Sequence, residues 1–276
     1  MSSQTLGECC ASGHLHEGTP NGKVIKLHDL DVYVTGDESN KAKTVVYLTD
    51  IFGYDLNNAR LLADEIASNG FWVVVPDFFH HDSLDGDLIL KIAPRTSLPE
   101  RSVVQKGLDT ASTMASLGPW LVRHREAVIL PIIESFMKAL RTDSAIKKIG
   151  AVGYCFGGRY SVLMAHGLAD AAVACHPSFL AVPADLEGIT KPSCETDLSL
   201  LSCLLQDDMF VESDQGKMQV FFNENLKPKG IETEFETYKD QVHGWAVRGD
   251  INVESEKAAK ERAEKQVVEW FKKHLA

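Results

Sequence analysis

A doubly wound α/β protein, with a mostly parallel sheet flanked by helices, is predicted by three observations. Short β-branched runs recur along the chain, stretches with helical periodicity separate them, and one strand-to-helix junction carries the pattern G-x-C-x-G. All 276 residues read as one domain, with residues 1–22 as an N-terminal arm, because no linker, repeat or low-complexity block divides them.

After the arm, Lys23–Leu27 and Leu30–Thr35 read as a hairpin, followed by the turn-rich loop GDESNKAK. The run Thr44–Leu48 (TVVYL) has no polar alternation, which suits a strand buried on both faces. A helix is expected over Asn57–Asn69, with Leu61, Leu62 and Ile66 on its apolar face and Gly70 as its stop. Phe71–Val75 is a second buried strand, closed by Pro76-Asp77. Strand, helix, strand in this order requires a parallel pair.

Residues from about His80 to Pro119 look loop-rich and cap-like. Beyond them Ile129, Ile132, Ile133, Phe136 and Leu140 share one helical face, with Pro131 near its start or at a kink. Strands are expected at Lys147–Gly153, Ala171–Cys175, Leu200–Leu205 and Glu232–Tyr238. A helix near Asp214–Asn225 and a final amphipathic helix from about Glu254 to Leu275 complete the pattern.

Composition narrows the function classes. The net charge is −11 and no stripe of Lys and Arg is present, which argues against nucleic acid or an anionic membrane and for a small-molecule partner. No apolar run approaches the roughly 20 residues of a membrane span, and MSSQTLGECCASGHLHEG lacks the apolar stretch of a secretion signal, so the cytosol is the expected location. Six cysteines spread over this length read as reduced thiols. Cys9, Cys10, His14 and His16 offer metal-ligating atoms, but small polar residues surround them and no second ligand pair has zinc-site spacing; no metal is expected.

The chemistry concentrates in Gly153-Tyr154-Cys155-Phe156-Gly157-Gly158. A sharp turn between strand and helix lifts the reactive atom out of the sheet's carboxyl edge, and its crowded flanks exclude Cβ atoms. Cys155 then stands at a helix N-terminus, where partial positive charge favours thiolate and free N–H groups can hold an oxyanion. In this architecture an acid and then a histidine follow the nucleophile. Among ten histidines, His243 has the required position, in a loop between the last expected strand and the last helix. Asp50 ends a parallel strand, where ligands gather in doubly wound sheets.

Taken together, LHEGTPNGK, YLTDIFGYD (Tyr47–Asp55), VVVPDFF (Val73–Phe79), GYCFGG, ACHPSF (Ala174–Phe179), ITKPS and VHGWAVRGD resemble the dienelactone hydrolases (carboxymethylenebutenolidases), in particular their fungal-type members. The resemblance implies an α/β-hydrolase fold, a Cys–Asp–His triad, an acyl-cysteine intermediate, no cofactor, and a lactone, ester or thioester substrate. It assigns Cys155 as nucleophile, His243 as base, Asp50 as the acid that contacts the resting thiol, and the N–H groups of Ile51 and Phe156 as the oxyanion hole. The triad acid falls in KPSCETDLSLLSCLLQDDMFVESD, a segment longer than the family pattern: Asp208 fits if LSLLSCLLQ is the strand, and Asp207 and Asp197 are the alternatives. Bacterial-type members hold a substrate carboxylate with arginines, whereas Phe78-Phe79-His80-His81-Asp82 contains none. His81, Trp245 and Arg248 are therefore the candidate substrate contacts. Two other classes stay open: a non-catalytic binding protein of the same fold, whose Cys155 would alkylate no faster than Cys194 or Cys203, and a redox-sensing thiol protein, which requires an exposed low-pKa cysteine with a resolving cysteine nearby.

Overall fold

The computed structural model describes residues 15–86, 115–189, 199–203, 212–238, 241 and 243–276, with residues 199–203 and 212–215 described as backbone. Among the described residues eight strands form one sheet: β1 (Lys23–Leu27), β2 (Leu30–Thr35), β3 (Lys43–Leu48), β4 (Trp72–Pro76), β5 (Lys148–Tyr154), β6 (Ala171–Cys175), β7 (Ser199–Cys203) and β8 (Glu232–Phe235). Their spatial order is β1-β2-β4-β3-β5-β6-β7-β8. Both pairings of β2 are antiparallel, and every pairing from β4 to β8 is parallel.

Local chemistry explains the hairpin. Leu27 pairs with Leu30, leaving the two-residue turn His28-Asp29 with φ of 49° and 67°. Two left-handed residues match the twist of a tight hairpin, and aspartate tolerates that region better than most side chains. In the sheet interior β3, β4, β5 and β6 are buried along nearly their whole length, as expected of strands covered on both faces by helices.

The helices are α1 (Asn57–Ala67), α2 (helical over 115–123), α3 (Glu126–Leu140), α4 (Phe156–Met164), α5 (Ala184–Glu187), α6 (Glu212–Phe221), α7 (Trp245–Arg248) and α8 (Glu254–His274). None of the described helices is long and apolar enough to cross a membrane. Most of the expected cap lies outside the described residues. Its last part, expected to be loop-rich, is helical in α2: Gly118-Pro119 reads as a break in sequence, yet Leu117 and Trp120, one turn apart, are both buried. The strand expected to end at Leu205 is described only to Cys203, and β8 stops at Phe235 rather than Tyr238. Pro131 falls inside α3, as the sixth residue of the helix that starts at Glu126.

Topology determines where ligands can meet the sheet. The chain runs outward from β3 to β4, then returns to the other side of β3 with β5 and continues through β6, β7 and β8. The winding reverses between β3 and β5, and a crevice opens there beyond the carboxyl ends of the strands. Leu48 pairs with Gly153 and Tyr154 with Cys175, so the residues that follow, Asp50, Cys155 and His176, leave the sheet side by side.

Candidate active site

Cys155 joins β5 to α4 with φ 53° and ψ −114°, a conformation that L-residues rarely adopt and that clusters at functional sites. Backbone crowding on both sides fixes the turn. A Cβ on Gly153 would lie 2.1 Å from the Gly157 carbonyl oxygen, and one on Gly157 would lie 2.2 Å from the Leu48 carbonyl oxygen. The Gly157 N–H donates to the Thr49 carbonyl at 3.0 Å and so ties the elbow to the loop after β3. On the other side the Cys155 N–H donates to the Cys175 carbonyl and to His176 Nδ1, each at 3.1 Å, while its carbonyl accepts the Ser178 N–H at 2.9 Å.

The thiol is 1% exposed, and its Sγ lies 3.4 Å from Ser178 Oγ. The same hydroxyl lies 3.1 Å from His243 Nε2. His243 is itself 1% exposed, in the loop between β8 and α7, beside Gly244 at φ 87°. Burial pushes the Cys155 thiol up, but the charge and hydrogen-bonding of His243 and the Arg248 guanidinium outweigh it, so the thiol sits below its ordinary value against the opposing charge of Asp50.

His176 was not among the sequence candidates. Its Nδ1 accepts the Cys155 N–H, which places the ring proton on Nε2, a buried atom with no hydrogen-bond partner among the described residues. Burial, followed by the charges of His243 and Arg248, holds its pKa well below the ordinary histidine value, so the ring stays neutral as this acceptor role requires. Its ring meets that of His243 edge-on at 5.0 Å. The signal available in sequence was its place directly after the buried strand AAVAC. The structure adds left-handed φ values at His176 (38°) and Phe179 (61°), so non-glycine strain surrounds the thiol on two loops.

Asp50 is buried beside this group. One carboxylate oxygen accepts the Phe52 N–H at 3.0 Å, and the other accepts from Arg248 Nη1. Burial raises its pKa despite the opposing effects of Arg248, the Phe52 N–H and His243. Asp50 therefore acts on the thiol through charge, and its described hydrogen bonds go to Arg248 and Phe52. Arg248 is fully buried, its guanidinium 5.0 Å from the Phe52 ring centre and packed against Gly244, where a Cβ would come within 2.1 Å of Nη2.

The remaining candidates are dispersed. Trp245 is buried against Tyr238 with ring centres 4.9 Å apart. His81 is 57% exposed and holds Asp31 at 2.9 Å and Asp77 at 3.4 Å. The hydrogen bond that it donates to Asp31, then the charge of Asp77, raises its pKa. His16 is bonded to the Gly249 carbonyl at 2.8 Å, whereas Cys9, Cys10 and His14 lie outside the described residues, as do Asp197, Asp207 and Asp208. Among the described residues no cluster has the donors to hold a metal ion.

A cavity of about 270 Å³ reaches the site through Ser178 and Phe156. Leu121, Tyr160 and Phe179 give it apolar walls, and Arg159 stiffens one side through a bidentate pair with Asp185 (2.6 and 3.0 Å) and a contact with Glu126. Phe156, Phe79 and Trp120 pack edge to face beneath it, with ring centres 5.0 to 5.6 Å apart.

In sequence and fold the chain is similar to known proteins. The chain is 31% identical over 277 residues to the hydrolase pyvD of Aspergillus violaceofuscus, covering 100% of this chain and 99% of that one. It is 24% identical to the human carboxymethylenebutenolidase homolog, with 96% of each covered. Among solved structures, m3DLH superposes with a TM-score of 0.60 at 16% identity, covering 93% of this chain and 99% of that one. A dienelactone hydrolase-like promiscuous phosphotriesterase from metagenomic libraries gives 0.55 at 16% identity, with 89% and 92% covered. The model of the dienelactone hydrolase family matches residues 30–275, from the second strand to the last helix, and the chain belongs to that family of carboxylic ester hydrolases.

Proposed function

We propose that the protein cleaves a lactone, ester or thioester by acyl transfer through Cys155. The observation that carries this reading is the buried thiol on the strained elbow, in contact with His243 and with Ser178, whose hydroxyl also touches His243 and which borders a mostly apolar cavity. In the proposed sequence the Cys155 proton passes to His243 and the thiolate adds to the carbonyl carbon. The oxyanion is held by the N–H groups of Ile51 and Phe156. Phe156 opens α4, so its N–H has no carbonyl within the helix to bond, and the Gly157–Thr49 hydrogen bond brings the loop carrying Ile51 alongside.

Collapse of this adduct expels the leaving group, which takes the proton back from imidazolium. Water, deprotonated by His243, then cleaves the acyl-cysteine. Asp208 is the proposed orienting acid, with Asp207 and Asp197 as alternatives. Carbonyls with good leaving groups, such as enol-lactones and thioesters, suit a thiolate, which is itself expelled easily when the alcohol leaves poorly. An exposed redox sensor is poorly matched by a nucleophile that is 1% exposed.

The test is trapping of the intermediate. With p-nitrophenyl acetate, the intact protein should gain an acetyl group on the Cys155 peptide, and Cys155→Ala should lose both the adduct and turnover while retaining its circular dichroism. Full activity in Cys155→Ala would overturn the reading.

A further inference from the structure

The resemblance gives Ser178, within ACHPSF, no role, yet its hydroxyl contacts both partners, 3.4 Å from Sγ and 3.1 Å from Nε2, beside the hydrogen bond that the thiol makes with His243 itself. Ser178 is 2% exposed, so bulk water does not compete for either contact. Its position relative to the nucleophile is set by backbone, because its N–H donates to the Cys155 carbonyl at 2.9 Å. Two residues earlier in the same loop His176 takes the Cys155 N–H, which ties the loop to the elbow a second time. A hydroxyl is one donor and two acceptor sites in a single rotor, the only equipment a relay needs.

We propose that Ser178 is a proton relay between Cys155 and His243, carrying the proton in place of their direct hydrogen bond, a step that deepens the acyl-transfer reading and rests on it. In the resting arrangement the thiol S–H donates to Ser178 Oγ, and the Ser178 O–H donates to His243 Nε2. The S–H bond breaks as a new O–H bond forms on Ser178, and the original Ser178 proton moves to Nε2. Ser178 is unchanged in charge and composition. The product is a thiolate that accepts a hydrogen bond from the Ser178 hydroxyl, whose oxygen now accepts from the imidazolium. The serine thus stabilises the thiolate while carrying its proton away, and its place in the cavity lining puts the returning proton beside the departing group.

The relay predicts behaviour that a space-filling serine would not show. Thiolate absorbance, titrated against pH and corrected with Cys155→Ala, should move to higher pH in Ser178→Ala. The acylation burst with p-nitrophenyl acetate at neutral pH should fall by about 10²-fold or more, the lower end of what general acid–base assistance contributes. Ser178→Thr should keep most of the burst, and the solvent isotope effect on acylation should show two protons in flight in the wild type.

Ser178→Val is the shape control for threonine and stands in if Ser178→Ala fails to fold. Loss in valine with retention in threonine supports the relay. Equal behaviour of the two, or a Ser178→Ala protein that titrates and acylates as wild type, overturns it. A Cys155→Ala protein that still gives a burst would instead remove the acyl-cysteine reading, so the two failures are distinguishable.

Discussion

Arg248 and Asp50, 198 positions apart in the chain, hold each other in a buried ion pair whose side chains are 0% and 1% exposed. The pair ties the helix after the His243 loop to the end of β3, and so sets one side of the thiol against the other. Removing one partner of such a pair strands a charge, at a cost of about 3–5 kcal/mol. Arg248→Met should therefore lose about that much stability at mildly alkaline pH. Asp50 already titrates above the ordinary carboxylate value because of burial, so the stability linked to it is present at low pH and is lost as pH rises through its folded pKa. Without Arg248 its pKa moves further up, and the deficit of the variant should shrink on acidification as Asp50 becomes neutral. Urea unfolding of both proteins at several pH values checks this; a pH-independent deficit would contradict it.

The acylation rate should follow the thiolate form of Cys155. Because His243 and Arg248 outweigh burial, the rising limb of the pH profile should lie below the ordinary thiol range. In His243→Ala the largest opposing influence disappears and burial dominates, so the limb should move to higher pH. The burst with p-nitrophenyl acetate at neutral pH should drop by about 10²–10⁴-fold. A limb that stays in place in His243→Ala would mean that this histidine does not govern the thiol.

Gly157 is dictated by backbone rather than by a yielding side chain. A Cβ there would lie 2.2 Å from the Leu48 carbonyl oxygen and 2.6 Å from that of Thr49, and neither can rotate away. Gly157→Ala must push the elbow off the end of β3 and break its hydrogen bond to Thr49. A loss at the upper end of the roughly 1–3 kcal/mol typical of overpacking is expected, together with most of the acylation rate. Gly216→Ala, where nothing lies within 4 Å, is the control and should be nearly silent in a thermal melt.

Much of this was legible in the sequence because it follows from local rules. The runs TVVYL and AAVAC are apolar without alternation, and they form buried strands at almost the expected bounds. The elbow was legible because Gly153 and Gly157 flank a cysteine at the single spacing that the turn permits. His176 and Ser178 were not, since neither carries a spacing rule. Their roles arise only when β6 pairs with β5 in the register that places Cys175 beside Tyr154. Arg248, a candidate substrate contact in sequence, is buried on Asp50, a long-range pairing that one sequence cannot reveal. Helix α2 was hidden by Gly118-Pro119, where the anchoring of Trp120 beneath Phe156 overrides local propensity.

The cavity bordered by Leu121, Phe156, Tyr160 and Phe179 makes a prediction about selectivity. Its charged lining residues are already engaged, Arg159 by Asp185 and Glu126 and Arg125 by the Val122 carbonyl at 3.0 Å, so apolar contact rather than charge should decide what enters. A volume of about 270 Å³ is well above the roughly 150 Å³ that accommodates benzene, so one substituted ring fits and a large fused system does not. Leu121→Trp adds bulk to the α2 wall without touching Cys155, Ser178 or His243. Forcing a ring past it should cost about 1–3 kcal/mol, which corresponds to a rise in KM of about 5- to 150-fold for p-nitrophenyl benzoate. With p-nitrophenyl acetate, whose acyl group needs little of the cavity, kcat and KM should stay near wild type. Equal loss on both esters would show that the substitution disturbs the catalytic group itself, and no loss on either would place the acyl group elsewhere.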